Sequence, residues 1–281
     1  MTAPAIFDRR LYARRRARAA RAFRGFDFLH RRAMEDIVDR LETVTRDFPR
    51  AVFSGAGDLV GMLTPACGVG AAVSMDLAPQ RLPAAGARIA ADEEALPLAA
   101  ESLDLFVSLL TLHAANDLVG ALAQARIALK PDGLFVAAVF GEETLAALRR
   151  ALYAAEAELC GGVSPRIAHF AAIQDYGQAL SRAGFALPVV DIDKISVTYE
   201  EPLKLLHDLR GMGETRALRG AAAPLRRDVL MRAMALFADA GGIERFEIVY
   251  LTGWAPHERQ QKPLKPGSAT TPLKDAIKGA S

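Results

Sequence analysis

Cysteine is almost missing from this chain. Cys67 and Cys160 are the two among 281 residues, and they lie far apart. That argues against a cysteine metal cluster and suits a reducing compartment. No apolar run approaches the roughly 20 residues that a membrane-spanning helix needs. The start lacks the apolar core of a signal peptide, so a cytoplasmic protein without an integral membrane segment is expected. An excess of one charge is lacking too: 35 Lys and Arg face 33 Asp and Glu, a net +2. Such a balance gives no global reason to expect a nucleic-acid or acidic-lipid partner. The five histidines, His30, His113, His169, His207 and His257, are scattered and form no compact metal constellation, so no metal site is expected. Hydrophobic residues make up 51% of the chain, enough for a sizeable core in one large domain or one domain with decorations.

The stretch from Ala91 to Phe140 organises the remainder. Leu105 to Leu110 is a short apolar run bounded by charge and by a polar loop, the pattern of a strand buried on both faces. Asp117 to Leu129 places Leu118, Leu122, Ala125, Ile127 and Leu129 roughly on one helix face, with Asn116 or Asp117 as the cap. Pro131-Asp132-Gly133 ends that helix, Gly133 being the residue suited to a left-handed turn, and Leu134 to Phe140 is a second buried strand. Strand, helix and strand of this kind predict a parallel sheet with a right-handed crossover.

Upstream, residues 8–25 are rich in arginine and read as a solvated basic helix, with a targeting presequence and a surface for an acidic partner as the other readings. Phe26 to Thr43 has helical apolar spacing and is expected on the sheet edge. Ala51-Val52-Phe53 is the first strand, and the Gly55–Gly57 turn follows it. A glycine-rich turn there lets backbone approach a ligand, with N–H groups from a following helix; a structural turn explains the glycines equally well. Ala71 to Met75 is the second strand, ending at Asp76. An acid so placed can accept from both ribose hydroxyls or cap the next helix. Asp92 and Glu93 follow the third strand, Arg88-Ile89-Ala90. Downstream, helices are predicted over 143–159, 173–183, 202–211 and 224–240, with strands over 187–199 and 246–254. The helices of 202–240 read either as a lid or platform for substrate or as a cover for one sheet face.

Leu96-Pro97-Leu98, Ser102-Leu103-Asp104-Leu105, Leu112-His113 and Leu129-Lys130-Pro131-Asp132-Gly133, in that order, resemble the conserved blocks of class I S-adenosylmethionine (SAM) dependent methyltransferases. The resemblance implies an α/β fold: a Rossmann-like, seven-stranded, mostly parallel sheet with helices on both faces, an antiparallel last strand and an inserted helical lid. It divides the chain into basic and amphipathic helices (1–45), a SAM-binding core (46–200), a helical insertion (201–245), a last core strand (246–255) and a mobile tail (256–281). It implies SAM as cofactor, with Gly55, Ala56 and Gly57 at the amino-acid end, Asp76 and Leu77 at the ribose, Asp92 and Glu93 at the adenine, and Ser108 and Leu109 near the sulfonium. His113 is the candidate substrate-pocket residue, although a lone histidine after a buried strand is more often a packed one. No residue is a clear catalytic base. Phe53 stands where the family carries an acid, and Leu59 where it carries a third glycine.

The second half resembles a narrower branch. Phe140-Gly141-Glu142-Glu143-Thr144-Leu145, Gly162-Val163-Ser164-Pro165-Arg166, the block Asp208 to Glu214, Gly253-Trp254, Gly267-Ser268-Ala269 and, near the start, Ile6-Phe7-Asp8-Arg9 are similar to the complex I assembly-factor branch and its bacterial relatives. That branch is in turn similar to the biotin-pathway methyltransferase acting on malonyl carrier protein. The main expectation is methyl transfer from SAM to an acceptor the sequence does not identify. The alternatives are arginine hydroxylation or chaperoning of a respiratory complex I subunit, and a non-catalytic SAM-fold scaffold, which Phe53 and Leu59 favour.

Overall fold

The central strands form where the chain is apolar on both faces, and most helices where it is apolar on one. The computed structural model describes residues 5–220 and 224–260. Its strands are β1 (Phe48–Ser54), β2 (Val69–Asp76), β3 (Ala87–Ala90), β4 (Leu103–Leu109), β5 (Leu129–Phe140), β6 (Ala186–Thr198) and β7 (Ile243–Trp254). They make one sheet in the order β3-β2-β1-β4-β5-β7-β6. The first five strands pair in parallel, and β7 runs antiparallel between β5 and β6. The sheet is Rossmann-like, seven-stranded and mostly parallel, as the sequence predicts.

The helices are α1 (Arg9–Ala19), α2 (Phe28–Thr43), α3 (Leu118–Ala128), α4 (Ala146–Cys160), α5 (Ile173–Arg182), α6 (Leu203–Met212) and α7 (Arg227–Asp239). The two-residue period of a strand splits the core between the faces. Phe53, Leu105, Val107 and Tyr250 meet α2, α4, α6 and α7 on one side. Val52, Phe106, Phe135 and Val249 meet α3 and α5 on the other. Helix α2 therefore covers a sheet face through Leu29, Met34, Ile37 and Leu41, and not the edge expected from its position before β1.

Several local expectations are corrected. The turn after α3 takes its left-handed residue at Asp132 (φ 66°), not at Gly133, and β5 already begins at Leu129. The Asp117 carboxylate caps α3 by accepting from Gly120 N at 2.8 Å. Helix α4 starts at Ala146, later than predicted, because Leu145 is left-handed (φ 60°). Its first turn is capped from the last strand: the buried Glu244 accepts from Ala147 N at 3.2 Å and Leu148 N at 2.8 Å. No α-helix follows the glycine turn; Gly57–Met62 and Pro65–Cys67 form two short 3₁₀ turns. Gly61, Pro65 and Gly68 interrupt that stretch too often for an α-helix to propagate. The expected tail and the Gly267-Ser268-Ala269 block fall, from residue 261 on, outside the described residues.

Candidate functional site

The carboxyl ends of β1, β2 and β4 lie side by side, because Ser54 is in register with both Met75 and Ser108. Ligands in open parallel sheets bind beyond such ends. Here helix α1 lies over them. Arg16 grips Asp76 with two hydrogen bonds, from Nε to Oδ1 at 3.2 Å and from Nη2 to Oδ2 at 2.6 Å. Both side chains are out of solvent, at 0% and 1% exposure. Ala78 N donates to the same carboxylate at 2.8 Å. Two turns earlier on the same helix face, Arg9 donates to Asp92 at 2.5 and 3.3 Å and to the Ala114 carbonyl at 3.1 Å. Between the two arginines, the Tyr12 hydroxyl donates to Glu214 Oε1 at 3.1 Å. Residues 9, 12 and 16 share a face because a helix repeats every 3.6 residues. The solvated basic helix predicted from the sequence is thus corrected on this face: its arginines are buried because each meets a carboxylate.

The remaining predicted positions are equally engaged. Glu93, 4% exposed, accepts from Ser108 Oγ at 2.7 Å and Thr111 Oγ1 at 2.8 Å, and those two hydroxyls lie 2.9 Å apart. Leu109 is fully buried, as is Ala56, and Leu77 packs beside the small cluster of Phe7 and Tyr12. Gly55 and Gly57 both have positive φ, 75° and 53°. A Cβ on Gly55 would run into the Leu109 carbonyl and the Thr111 methyl, and one on Gly57 would lie 2.8 Å from the Arg81 carbonyl. Glycine is required there for chain to approach chain. Phe53 is a core residue at 0% exposure.

In this arrangement the residues do not fit a SAM molecule. The two carboxylates that would hold its nucleoside are bound to arginines of the same chain, and the acid position at the end of the first strand is an apolar core residue. Asp76, Asp92, Glu93, Ser108 and the glycine turn are neighbours at the strand ends, but they face α1 or one another.

Next to them is a cavity of about 290 Å³. Its walls are apolar, with Leu148 and Leu152 from α4, Leu206 and Leu209 from α6 and Leu230 from α7. One end carries His113, Glu214 and Tyr12. His113 Nε2 is 3.2 Å from Glu214 Oε2, and its ring packs on Phe140 and Phe170 with centroids 4.7 and 5.3 Å away. Its Nδ1 is buried without a partner among the described residues. Burial opposes the charge on Glu214, but His113, the Arg16 guanidinium 3.7 Å away and the Tyr12 hydroxyl outweigh it and hold this carboxyl below its ordinary pKa. At the rim, Arg166 is paired with Glu156 at 2.6 Å, and Arg216 donates to the carbonyls of Pro165, Leu218 and Gly220.

His113 is the pocket residue that sequence reasoning proposed. Arg9, Tyr12, Arg16 and Glu214 were missed as site residues. The signal for the first three was their spacing on one helix face. For Glu214 it was membership of the Asp208–Glu214 block.

Comparison with known proteins agrees with the fold. Residues 52–137 match the family described as "Methyltransferase domain". Mitochondrial arginine-hydroxylase NDUFAF5 of Mus musculus is 38% identical over 97% of this chain and 84% of its own length. The Homo sapiens protein of the same name is 38% identical over 94% and 81%. Malonyl-[acyl-carrier protein] O-methyltransferase of Laribacter hongkongensis is 31% identical over 89% and 90%. Among solved structures, the YcgJ protein of Bacillus subtilis superposes with a TM-score of 0.53 at 13% identity, covering 80% of this chain and 99% of that one, a likeness of fold. The cytoplasmic location expected from the sequence is corrected by these relatives, since the arginine-hydroxylases similar over nearly the whole chain are mitochondrial. Among the described residues no helix is long and apolar enough to cross a membrane.

Proposed function

This chain belongs to the class I SAM-dependent methyltransferase family, a family of enzymes, in the branch that holds arginine-hydroxylase NDUFAF5 and malonyl-[acyl-carrier protein] O-methyltransferase, and we propose that it modifies an arginine side chain of a protein partner. The observation that carries this reading is Glu214, an ionised and almost buried carboxylate at one end of a leucine-walled cavity whose rim carries Arg166 and Arg216. An arginine is apolar along its stem and planar and cationic at its tip. The leucines of α4, α6 and α7 suit the stem, and Glu214 suits the guanidinium by a charge-assisted pair. His113 and Tyr12 hold the carboxylate in place. The partner implied by the second-half resemblance is a respiratory-complex subunit. SAM is the cofactor of the family, and its nucleoside would have to displace Arg9 and Arg16 from Asp92 and Asp76.

A second reading rests on Arg216. It lies at the cavity rim and is held by backbone carbonyls alone among its hydrogen bonds, so an anionic acceptor of the malonyl-thioester kind would find a cation there. The two are separated by incubating the full chain with SAM and either arginine-bearing peptides or a malonyl-loaded carrier protein, followed by mass spectrometry of the acceptor. The proposal expects a modified arginine, lost in Glu214→Gln; a methyl gain is read with SAM alone, and an oxygen gain only in a parallel incubation supplied with O2 and a two-electron reductant. A modified malonyl group, or arginine modification indifferent to Glu214→Gln, overturns it.

A further inference from the structure

Several surface arginines have a carboxylate beside them. Arg24 pairs with Asp58, Arg32 with Asp193, Arg40 with Asp191, Arg46 with Asp132 and Arg232 with Glu158. Among the described residues, the outer flank of α1 instead gathers unpaired arginines on one helix face. Arg10, Arg14 and Arg18 are exposed at four-residue spacing along one helix face, and none has a carboxylate partner among the described residues. Arg15 lies alongside with its Nε buried and unpartnered, and the exposed Arg210 of α6 adds its charge. Burial, then Arg18, Arg14 and Arg210, all push the Arg15 pKa down, the signature of cations crowded without an anion. Like charges four residues apart weaken a helix. On a chain with a net charge of only +2, this flank is a local cluster of positive charge.

We infer that the Arg10–Arg14–Arg18 face of α1 is a docking strip for an extended acidic segment of the protein partner, with carboxylates at alternate residues. The spacing supports an extended occupant. Four residues of helix advance about 6 Å, close to the roughly 6.6 Å between alternate residues of an extended chain. The position supports a protein occupant. Arg216 lines both the cavity and the hollow beside Arg10 and Arg219, so a partner whose side chain enters the cavity runs its neighbouring backbone onto α1. The exposed face of the strip carries no large apolar side chain to enter a lipid surface and no aromatic ring to stack on a base. The inference deepens the reading of a protein acceptor, and its test does not use the cavity.

The test is fluorescence anisotropy of the full chain with a labelled peptide carrying Asp at alternate positions, its block-scrambled isomer, anionic phosphatidylserine vesicles and a single-stranded oligonucleotide. The alternating peptide is expected to bind more tightly than the scrambled one and to weaken with salt. Arg10→Glu/Arg14→Glu/Arg18→Glu, all exposed and so expected to fold, is predicted to cost on the order of tenfold or more in affinity. The same variant should gain affinity for the peptide with Lys in place of Asp. Glu214→Gln should leave peptide affinity unchanged, so the strip and the cavity fail or stand separately. Equal binding of both isomers, indifference to the triple reversal, or arginine-dependent capture of vesicles or oligonucleotide in place of the peptide overturns the inference.

Discussion

Replacing Arg16 by alanine would strand the Asp76 carboxylate, 1% exposed, with Ala78 N as its one remaining donor among the described residues. Removing one member of a buried ion pair costs about 3–5 kcal/mol, because the other charge stays desolvated. In a chain of this size each kcal/mol lowers Tm by roughly 2–4 °C, so Arg16→Ala is expected to melt about 6–20 °C below wild type. Arg16→Ala/Asp76→Ala should recover most of that loss, since both charges leave together. Scanning calorimetry of the four proteins of this cycle reads the coupling. Wild type and an Arg9→Gln variant report on the nucleoside position. S-adenosylhomocysteine should bind wild type weakly at best, since it competes with two arginines for two carboxylates. Arg9→Gln, which removes the charge from a side chain 12% exposed, should tighten that binding. A Tm for Arg16→Ala within about 2 °C of wild type, or single and double effects that simply add, would refute the buried pair. Tighter nucleoside binding by wild type than by Arg9→Gln would refute the competition.

His30 is fully buried with both ring nitrogens unpartnered among the described residues, and burial, with Arg81 and Arg16 nearby, drives its pKa well below the ordinary value. Its folded-state pKa is depressed, so its contribution is intact above about pH 6.5 and is lost as the pH falls below that. His30→Leu should flatten the stability profile on the acid side of pH 6.5 and leave the protein equal or up to about 1 kcal/mol more stable at pH 7, by urea unfolding. Glu214 and Asp92 have lowered pKa values, so their share of stability is full above the usual carboxylate range and falls away below it; Glu214→Gln should blunt acid unfolding below about pH 4.3. Gly55→Ala places a side chain at φ 75° against the Leu109 carbonyl, and a loss of more than about 1–2 kcal/mol is expected from the backbone conformation alone. A Gly55→Ala protein with wild-type urea midpoint would show that the turn can shift.

The strands and α3 were legible because burial on two faces, or on one, writes itself as apolar periodicity. The sheet order was legible only through the ordered blocks around Asp104, Leu112-His113 and Lys130 to Gly133, since pairing partners are not encoded by local pattern. Helix α1 was misread on one face for a physical reason. Apolar spacing finds residues buried by the hydrophobic effect, whereas Arg9 and Arg16 are buried by carboxylates 83 and 60 positions away. Glu214 reaches His113 across 101 positions, a distance no local reading spans. The missing helix after Gly57 was legible in principle from Gly61, Pro65 and Gly68, but the strand–glycine–helix expectation overrode those breakers.

The placement of β7 between β5 and β6 has a consequence in time. The ribosome delivers β6 some 45 residues before its only neighbour in the sheet exists, taking Thr198 to Ile243 as the interval. Until then β6 lacks its native partner, and the first turn of α4 waits for Glu244 as well. Nascent chains stalled ahead of residue 243 should therefore carry an ordered β1–β5 half and a protease-sensitive remainder, which closes cooperatively when the last strand slides in.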